Sequence, residues 1–268
     1  MGAIDLHAHP LPGIDDGPPD VAAALALAAA ASADGTEAIV ATPHVSERYP
    51  TRAVDMAAGV EVMTPELARA GVPVRVLPGA EVALTQVSTL DEGELGRLTL
   101  GGGPYLLVES PLTSAAGDFE VVIHDLLGRG FRLVLAHPER CPAFQREPDR
   151  LRRLVVAGVL CSVTAGALTG RFGGNVQRFT RRLLSDQLVH NVASDAHDTT
   201  RRPPALRSCL AEAERQVPGI SAVGEWLTEE VPAAILAGDP VGFPPPLPRP
   251  RRRRRRLAFA GWRSRGGS

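Results

Sequence analysis

The 268-residue sequence contains no lysine, so all 29 of its basic residues are arginines. Alanine, glycine and proline are abundant, a combination typical of GC-rich coding rather than of a particular function. Cysteine is scarce: Cys141, Cys161 and Cys209 are odd in number and form no Cys-x-x-Cys pair. We therefore expect neither a disulfide framework nor a thiolate zinc site, and a reducing compartment fits the sequence better.

The sequence also lacks a segment that could cross a membrane. The Ala-rich residues 22–33 are too short to span a bilayer. No signal peptide precedes the first predicted strand, which begins close to Met1. The hydrophobic content of 44% is ordinary for a globular protein and sufficient for the core of one large domain. We expect a cytoplasmic protein.

The formal net charge of −1 conceals two regions of opposite charge. Residues 249–268 carry nine arginines and no acid, so the rest of the chain has a formal charge of about −10. From Gly242 onward the sequence is Pro-rich and then Arg-rich, which predicts a folded domain over 1–244 and a disordered tail over 245–268. The tail could contact anionic surfaces. The acidic body argues against a large DNA footprint, and no DNA partner is expected.

Seven apolar stretches alternate with helical stretches along the domain. The predicted strands lie at 4–9, 37–42, 72–80, 105–108, 131–136, 159–164 and 189–194. The predicted helices lie at 20–33, 53–71, 118–129, 148–157, 174–188, 203–215 and 226–237. Near-continuous apolar strands separated by helices are typical of a parallel sheet covered by helices. The pattern therefore predicts an α/β fold, and single α/β barrels commonly have about this length.

Metal-capable side chains follow six of the seven predicted strands, the strand at 159–164 being the exception. His7 and His9 alternate along the first strand and therefore point to the same side. Asp195 and His197 repeat this spacing after the last strand. In α/β barrels the carboxyl ends of the strands share one face, so these side chains should converge. The candidate metal ligands are His7, His9, Asp16, His44, Glu81, Glu109, His137, Asp195 and His197.

Five imidazoles and four carboxylates exceed the needs of one ion, because zinc takes three or four protein ligands; the set suits two or three ions. Nitrogen and oxygen ligands without a thiolate favour Mn²⁺, Fe²⁺ or Zn²⁺, and Glu81 is expected to bridge two ions. We interpret His124 and His190 as structural and Asp15 as pointing away from the cluster. Two roles stay open for Asp5: it could orient a histidine, or it could serve as a buried structural acid.

Two arginines lie on loops that follow candidate ligands. Arg140 is three residues past His137, and Arg202 is five residues past His197. A guanidinium can contact two phosphate oxygens at once. Metals with convergent arginines therefore indicate phosphoester hydrolysis, in which a metal-activated hydroxide attacks phosphorus while the arginines stabilise the charge. No Cys-x5-Arg loop is present, which argues against cysteine-based phosphatase chemistry.

The combined motifs resemble the PHP (polymerase and histidinol phosphatase) superfamily over residues 4 to about 240. The matching segments are Asp5-Leu-His-Ala-His9, Thr42-Pro-His44, Gly79-Ala-Glu81, Glu109, His137-Pro-Glu-Arg140 and Ser194-Asp-Ala-His197. Within that superfamily the chain is similar to the bacterial manganese-dependent tyrosine phosphatases of capsule and exopolysaccharide operons. Val45 follows His44 where many relatives carry a second histidine, and the Arg-rich tail has no counterpart in them.

The resemblance implies a distorted (β/α)7 TIM-like barrel, the PHP fold, with Mn²⁺ as the leading cofactor. It would assign one ion to His7, His9, Glu81 and Asp195, a second to Glu81, Glu109 and His137, and a third to Asp16, His44 and His197. Arg140 and Arg202 match the positions that bind the substrate phosphate. They are the candidate catalytic residues.

The leading hypothesis is a phosphotyrosine-protein phosphatase whose partner is a bacterial tyrosine kinase that controls polysaccharide export. Because a phenol has a pKa of about 10, its oxide is a good leaving group and no dedicated general acid is required. Two alternatives stay open: a small-molecule phosphoesterase such as histidinol-phosphate phosphatase, and a nucleic-acid-associated phosphoesterase that uses the Arg-rich tail. The sequence also leaves the oligomeric state open.

Overall fold

The computed structural model describes residues 2–113 and 119–248. Its strands are β1 Ala3–Ala8, β2 Thr36–Ala41, β3 His44–Val45, β4 Arg75–Pro78, β5 Glu81–Ala83, β6 Tyr105–Glu109, β7 Arg132–Ala136, β8 Leu160–Thr164 and β9 Asn191–Ala193. Its α-helices are α1 Val21–Ala33, α2 Ala53–Arg69, α3 Glu92–Arg97, α4 Phe119–Gly128, α5 Pro142–Arg146, α6 Pro148–Val156, α7 Ala165–Leu168, α8 Gly174–Ser185, α9 Leu206–Ala213 and α10 Val231–Ala237. A π-helix, Trp226–Glu230, leads directly into α10.

The paired strands are all parallel and form two sheets. One sheet has the order β1-β2-β4, and the other has the order β3-β5-β6-β7-β8-β9. Each pairing joins neighbours whose carboxyl ends point the same way. The predicted α/β fold with parallel strands is therefore confirmed, and the loops that carry the candidate ligands lie on one side of the sheets.

Two of the seven predicted strands are each followed closely by a second, shorter strand. The stretch at 37–42 forms β2, and the chain continues past Pro43 as β3. The stretch at 72–80 forms β4, and the chain continues past Gly79 as β5. Proline has no N–H to donate to a strand partner. A Cβ atom on Gly79 would lie 2.7 Å from Cγ1 of Val40, so the chain needs glycine where the two segments approach. The strand predicted over 72–80 is therefore present but shorter, as β4, and a second strand begins just past it at Glu81.

Helix α1 illustrates how the sequence determines the local structure. Asp20 precedes the helix with an extended backbone, and its side chain accepts a hydrogen bond of 2.8 Å from the Ala23 N–H. This contact satisfies one of the free N–H groups in the first turn. The predicted N-cap is therefore confirmed, and the loop that carries Asp15 and Asp16 is fixed at its far end.

The main apolar core lies between the six-stranded sheet and the helices that cover it. Leu106 and Leu133 extend from the sheet, and Phe144, Leu151 and Leu183 extend from the helices; all five side chains are fully buried. Burial of each such side chain contributes roughly 2 kcal/mol of stability. The three cysteines are also buried, and each is a free thiol. Among the helices of the described ranges, none combines the length and the apolar character needed to cross a membrane.

The chain after α10 runs back along the domain. Gln187 Nε2 donates a hydrogen bond of 2.6 Å to the Pro244 carbonyl, and Leu247 packs against the main core. Pro248 lies against Gly219 so closely that a Cβ atom there would be 2.9 Å from its ring. The first four residues of the tail predicted as disordered, 245–248, are thus placed against the domain. The remaining twenty, 249–268, lie outside the described residues.

His190 lies in the core at the amino-terminal ends of the strands, far from the candidate ligands. It is almost completely buried, and its Nδ1 accepts a hydrogen bond of 3.1 Å from the Cys161 N–H. Burial lowers its pKa to about 4, because a protonated imidazole loses hydration in the core. The structural role predicted for His190 fits this environment, and His124 is exposed on α4.

A pH-dependent stability test follows from His190. Its folded-state pKa of about 4 lies below the unfolded value of about 6.5, so the unfolded chain binds the extra proton between these values. The contribution of neutral His190 to stability is therefore present above pH 6.5 and is lost as the pH falls towards 4. The stability advantage of the wild-type protein over His190→Asn should shrink by about 2 kcal/mol between pH 7 and pH 5, measured by chemical denaturation. His124→Asn, the exposed control, should show a constant difference. A constant difference for His190→Asn as well would contradict the assignment.

Candidate metal centre

The nine candidate ligands come together at the carboxyl ends of the strands. Strand register brings three of them close together. His44 pairs with Glu81, and Ala83, two residues past Glu81, pairs with Glu109 on the next strand. Backbone hydrogen bonds join the first strand to the segment after β9, bringing the His-x-His pair beside the Asp-x-His pair. One of these bonds runs from the His9 N–H to the Ala196 carbonyl over 2.8 Å.

Glu81 is the carboxylate at the centre of the cluster. It is fully buried, and its Oε1 lies 2.7 Å from His137 Nε2. Its Oε2 lies 2.9 Å from His44 Nδ1 and 3.2 Å from His7 Nε2. His9 Nε2 is 3.5 Å from the same oxygen. Four imidazoles from three strand ends therefore surround one buried carboxylate.

Asp16 forms the more exposed side of the cluster. Its Oδ1 lies 3.2 Å from His197 Nε2 and 3.4 Å from His44 Nε2. His197 is oriented by its other ring nitrogen, because Nδ1 lies 3.0 Å from the carbonyl oxygen of Asp195. The Tyr49 ring stacks on the His44 ring with centroids 5.7 Å apart and an angle of 14°. Tyr49 therefore covers the outer face of this histidine.

Asp195 uses its two oxygens in different ways. Oδ1 lies 3.5 Å from the Nε2 atoms of both His7 and His9. Oδ2 accepts hydrogen bonds from Arg140 Nη1, at 2.9 Å, and from Arg202 Nη2. The side chains of these arginines are 19% and 27% exposed. Both predicted phosphate-binding arginines thus reach the cluster while remaining accessible from solvent.

The loop that carries Arg140 is held by the one strand that ends without a ligand. Glu139 is fully buried, and its Oε1 accepts a hydrogen bond of 2.9 Å from the Thr164 N–H at the end of β8. The Arg140 guanidinium lies over the Phe172 ring, 4.7 Å from its centroid. Strand β8 therefore contributes to the site by holding the loop that follows β7, which carries Arg140.

Four overlapping groups of these side chains could hold a metal ion, because the ligating atoms within each group all lie within 4.8 Å of one another. The groups are His9, Asp16, His44 and His197; His7, His9 and Asp195; His7, Glu81 and His137; and His44, Glu81 and Glu109. Among the described residues, four buried atoms of the candidate ligands form no well-aligned hydrogen bond: Glu81 Oε2, His137 Nδ1, Asp195 Oδ1 and His197 Nε2. Unpartnered buried polar atoms are costly, and a cation would satisfy them. The imidazole and carboxylate donors fit Mn²⁺, Fe²⁺ or Zn²⁺.

The carboxylates differ in how strongly they hold a negative charge. Burial opposes ionisation of Glu81, but the charges of His7 and His137 hold its pKa well below the usual range. Glu109 has no comparable compensation, so burial and the nearby charge of Glu81 raise its pKa to about 7. Glu109 is therefore the carboxyl group of the cluster that most needs an added positive charge.

Two histidines show the same demand for positive charge. Burial disfavours protonated His44, yet the nearby carboxylates of Asp16 and Glu81 raise its pKa to about 9. Burial also opposes protonation of His9, and Asp15 raises its pKa well above the usual value. These imidazoles take up protons because the surrounding carboxylates require positive charge. A bound cation would supply the same charge and release the protons.

Asp15 is the residue of this site that the sequence reasoning missed. The interpretation that it points away from the cluster is wrong, because its side chain is fully buried with Oδ2 2.6 Å from His9 Nδ1. The same oxygen accepts a hydrogen bond of 3.0 Å from the His44 N–H. Asp15 thereby turns His9 Nε2 towards the cluster, as carboxylates do behind metal-binding histidines. The Asp15-Asp16 doublet after the His-x-His pair was the available signal.

A buried carboxylate, Asp5, holds the backbone on two sides of the cluster. Asp5 is fully buried, and its Oδ1 accepts hydrogen bonds from the N–H groups of His7, at 3.3 Å, and Ser194, at 3.0 Å. Of the two roles left open for Asp5, these contacts favour that of a buried structural acid.

Two residues of the cluster have an uncommon backbone conformation. His137 and Asp195 have φ angles of 35° and 53°, which residues other than glycine rarely adopt. Such strained positions cluster at functional sites.

Comparison with known proteins gives a consistent set of relatives. Residues 3–235 match the sequence profile of the family described as capsular polysaccharide synthesis, CpsB/CapC. Tyrosine-protein phosphatase YwqE of Bacillus subtilis is 33% identical over 214 residues, which are 80% of this chain and 84% of YwqE. CapC of Staphylococcus aureus is 30% identical over 209 residues, which are 76% of this chain and 80% of CapC.

Solved structures show the same relationship. A chain from the crystal structures of YwqE from Bacillus subtilis and CpsB from Streptococcus pneumoniae, described as metal-dependent tyrosine phosphatases, has a TM-score of 0.78 and 29% identity. The match covers 92% of this chain and 100% of that one. The phosphotriesterase homology protein of Escherichia coli shares the fold alone, with a TM-score of 0.59 at 10% identity over 87% of this chain and 97% of that one. The predicted resemblance to capsule-type phosphatases is confirmed. The chain belongs to the CpsB/CapC family of capsular polysaccharide synthesis.

Proposed function

We propose that this protein is a metal-dependent phosphotyrosine-protein phosphatase. The observation that carries the proposal is the arrangement around Asp195, where one oxygen faces imidazoles and the other binds both Arg140 and Arg202. Potential metal ligands and phosphate-binding guanidinium groups therefore share a residue. Relatives over most of the chain are named tyrosine-protein phosphatases, which supports phosphotyrosine as the substrate class.

The ligand assignment that we propose is the one implied by the family resemblance, and it draws on all four overlapping groups of side chains. One ion would be held by His7, His9, Glu81 and Asp195, a second by Glu81, Glu109 and His137, and a third by Asp16, His44 and His197. Glu81 would be shared because its two oxygens face different histidines. We propose Mn²⁺ as the resident metal, with Fe²⁺ and Zn²⁺ as the alternatives that the same donors accept. When bound, such cations lower the pKa of a coordinated water and offset the negative charge of a phosphate.

The side chains of this protein bind and orient the substrate. Arg140 and Arg202 would contact the phosphate oxygens with their free N–H groups while Asp195 keeps both guanidinium groups directed at the cluster. Bidentate contacts of this kind fix the phosphate and stabilise the charge on its oxygens during displacement. The tyrosyl oxide leaves without protonation by a dedicated acid, because the phenol has a pKa of about 10.

The architecture and setting that we propose extend the parallel α/β fold. The two sheets would form one distorted (β/α)7 barrel spanning 1–244, closed by the backbone hydrogen bonds between the first strand and the segment after β9. The partner would be a bacterial tyrosine kinase of the capsule or exopolysaccharide pathway, met in the cytoplasm.

Substrate preference tests the proposed function directly. The purified full-length protein with Mn²⁺ should hydrolyse a phosphotyrosyl peptide with a kcat/KM at least about tenfold above that for histidinol phosphate or a 3′-phosphorylated oligonucleotide. Chelation should abolish the activity, and added Mn²⁺ should restore it. His7→Ala should lose bound metal and activity while keeping the wild-type circular dichroism spectrum. A preference for histidinol phosphate or for the oligonucleotide would replace the proposal by the corresponding alternative.

The role of Asp15 gives a second prediction about the metal. Asp15→Ala should weaken the apparent Mn²⁺ affinity by about 10-fold to 100-fold, because His9 loses the carboxylate that orients it. Asp15→Asn should lose less, since its amide oxygen still accepts a hydrogen bond from the His9 ring. The readout is the Mn²⁺ concentration that gives half-maximal activity. Asp20→Asn removes one charge from the same loop but preserves the helix cap, so it should behave like the wild-type protein. Unchanged affinity in Asp15→Ala would show that His9 is oriented by other contacts.

A further inference from the structure

A cavity of about 520 Å³ lies beside the candidate metal centre. It is bounded by the residues at the ends of β5 and β6 and by the first turns of α4. Its volume falls in the range of about 300–1,000 Å³ that is typical of small-molecule pockets. Glu109 lines this cavity and also belongs to the potential metal group with His44 and Glu81. The cavity and the cluster therefore meet at Glu109.

The walls of the cavity are mainly apolar. Leu84, Pro111, Leu112, Phe119 and Val122 contribute them. Of the described residues that line the cavity, Glu109 alone is charged. A sugar would leave most of its hydroxyl groups without partners against these walls. An aromatic ring would instead exchange water for apolar contacts.

A buried hydroxyl group lies behind the wall of the cavity. Ser110 lines it and is fully buried, yet its Oγ has no hydrogen-bond partner within residues 2–113 and 119–248. Buried hydroxyl groups are normally hydrogen-bonded. The Ser110 hydroxyl is thus an unpartnered polar group beneath the wall of the cavity, next to Glu109.

We propose that this cavity is the subsite for the tyrosyl ring of the substrate. The inference rests on the proposed function and adds the residues that select the substrate. A phosphate bound at the cluster by Arg140 and Arg202 would place its ester-linked ring past Glu109, between Leu84 and Val122. The cavity exceeds one ring in size, so an apolar side chain next to the phosphotyrosine would share it. Aryl phosphates would be favoured over phosphoserine, which has no ring to fill the space.

Val122 provides the first variant for a test. It is half-buried and lines the cavity, whereas its neighbour Val121 is exposed on the same helix and serves as the matched control. Val122→Asn should raise the KM for a phosphotyrosyl peptide by about tenfold and leave the inhibition constant of inorganic phosphate unchanged. Val121→Asn should change neither value. Both measurements use the full-length protein at one saturating Mn²⁺ concentration.

A second variant fills the cavity from its mouth and does not depend on the packing of α4. Thr85 is exposed and lines the cavity, and Ser88 is an exposed residue outside it. Thr85→Trp should also raise the KM for the peptide without changing phosphate inhibition, while Ser88→Trp should match the wild-type protein. Equal increases in the KM and in the phosphate inhibition constant would overturn the subsite, since they indicate a disturbed phosphate site. Wild-type KM values in both cavity variants would also overturn it, even though the wild-type protein prefers phosphotyrosine.

Discussion

A buried negative charge that must be compensated is the constraint on which this structure depends. Glu81 lies out of contact with water, and a carboxylate in that position costs several kcal/mol unless charge and hydrogen bonds offset it. Imidazoles from separate strand ends supply the compensation, among them His7, His44 and His137. Protons alone satisfy this demand only in part, because Glu81 Oε2 has no well-formed hydrogen bond within the described chain. The same electrostatic requirement that holds the strand ends together therefore favours cations.

The path of the backbone determines where the charged side chains of the cluster lie. The interruptions at Pro43 and Gly79 allow the chain to leave the three-stranded sheet and continue in the six-stranded one. The register of the second sheet then sets His44 directly beside Glu81. Asp5 fastens the first strand to the segment after the last one through backbone N–H groups. The site is consequently built from strand ends and buried carboxylates, which leaves little freedom for its ligands to separate.

The surroundings of the cluster differ on its two sides. On one side Asp195 connects the imidazoles to two arginines, so an anion would find fixed positive charge there. On the other side Glu109 borders an apolar cavity, where charge is absent from the described walls apart from Glu109 itself. A phosphate ester of an aromatic alcohol has this division of character. These residues thus provide a physical basis for the similarity of this chain to proteins named tyrosine phosphatases.

The sequence alone determined the alternation of strands and helices, because apolar periodicity and caps such as Asp20 act over a few residues. It also indicated which candidate ligands would come together, since residues that end parallel strands share one face. Tertiary structure decided what depends on contacts between distant segments. The break before Glu81 arises where the chain passes Val40, the partner of Asp15 is His9 in a buried loop, and the cavity beside Glu109 exists only because α4 packs across two strand ends. Such features depend on which distant segments of the chain come into contact in the fold, and local sequence patterns do not determine those contacts.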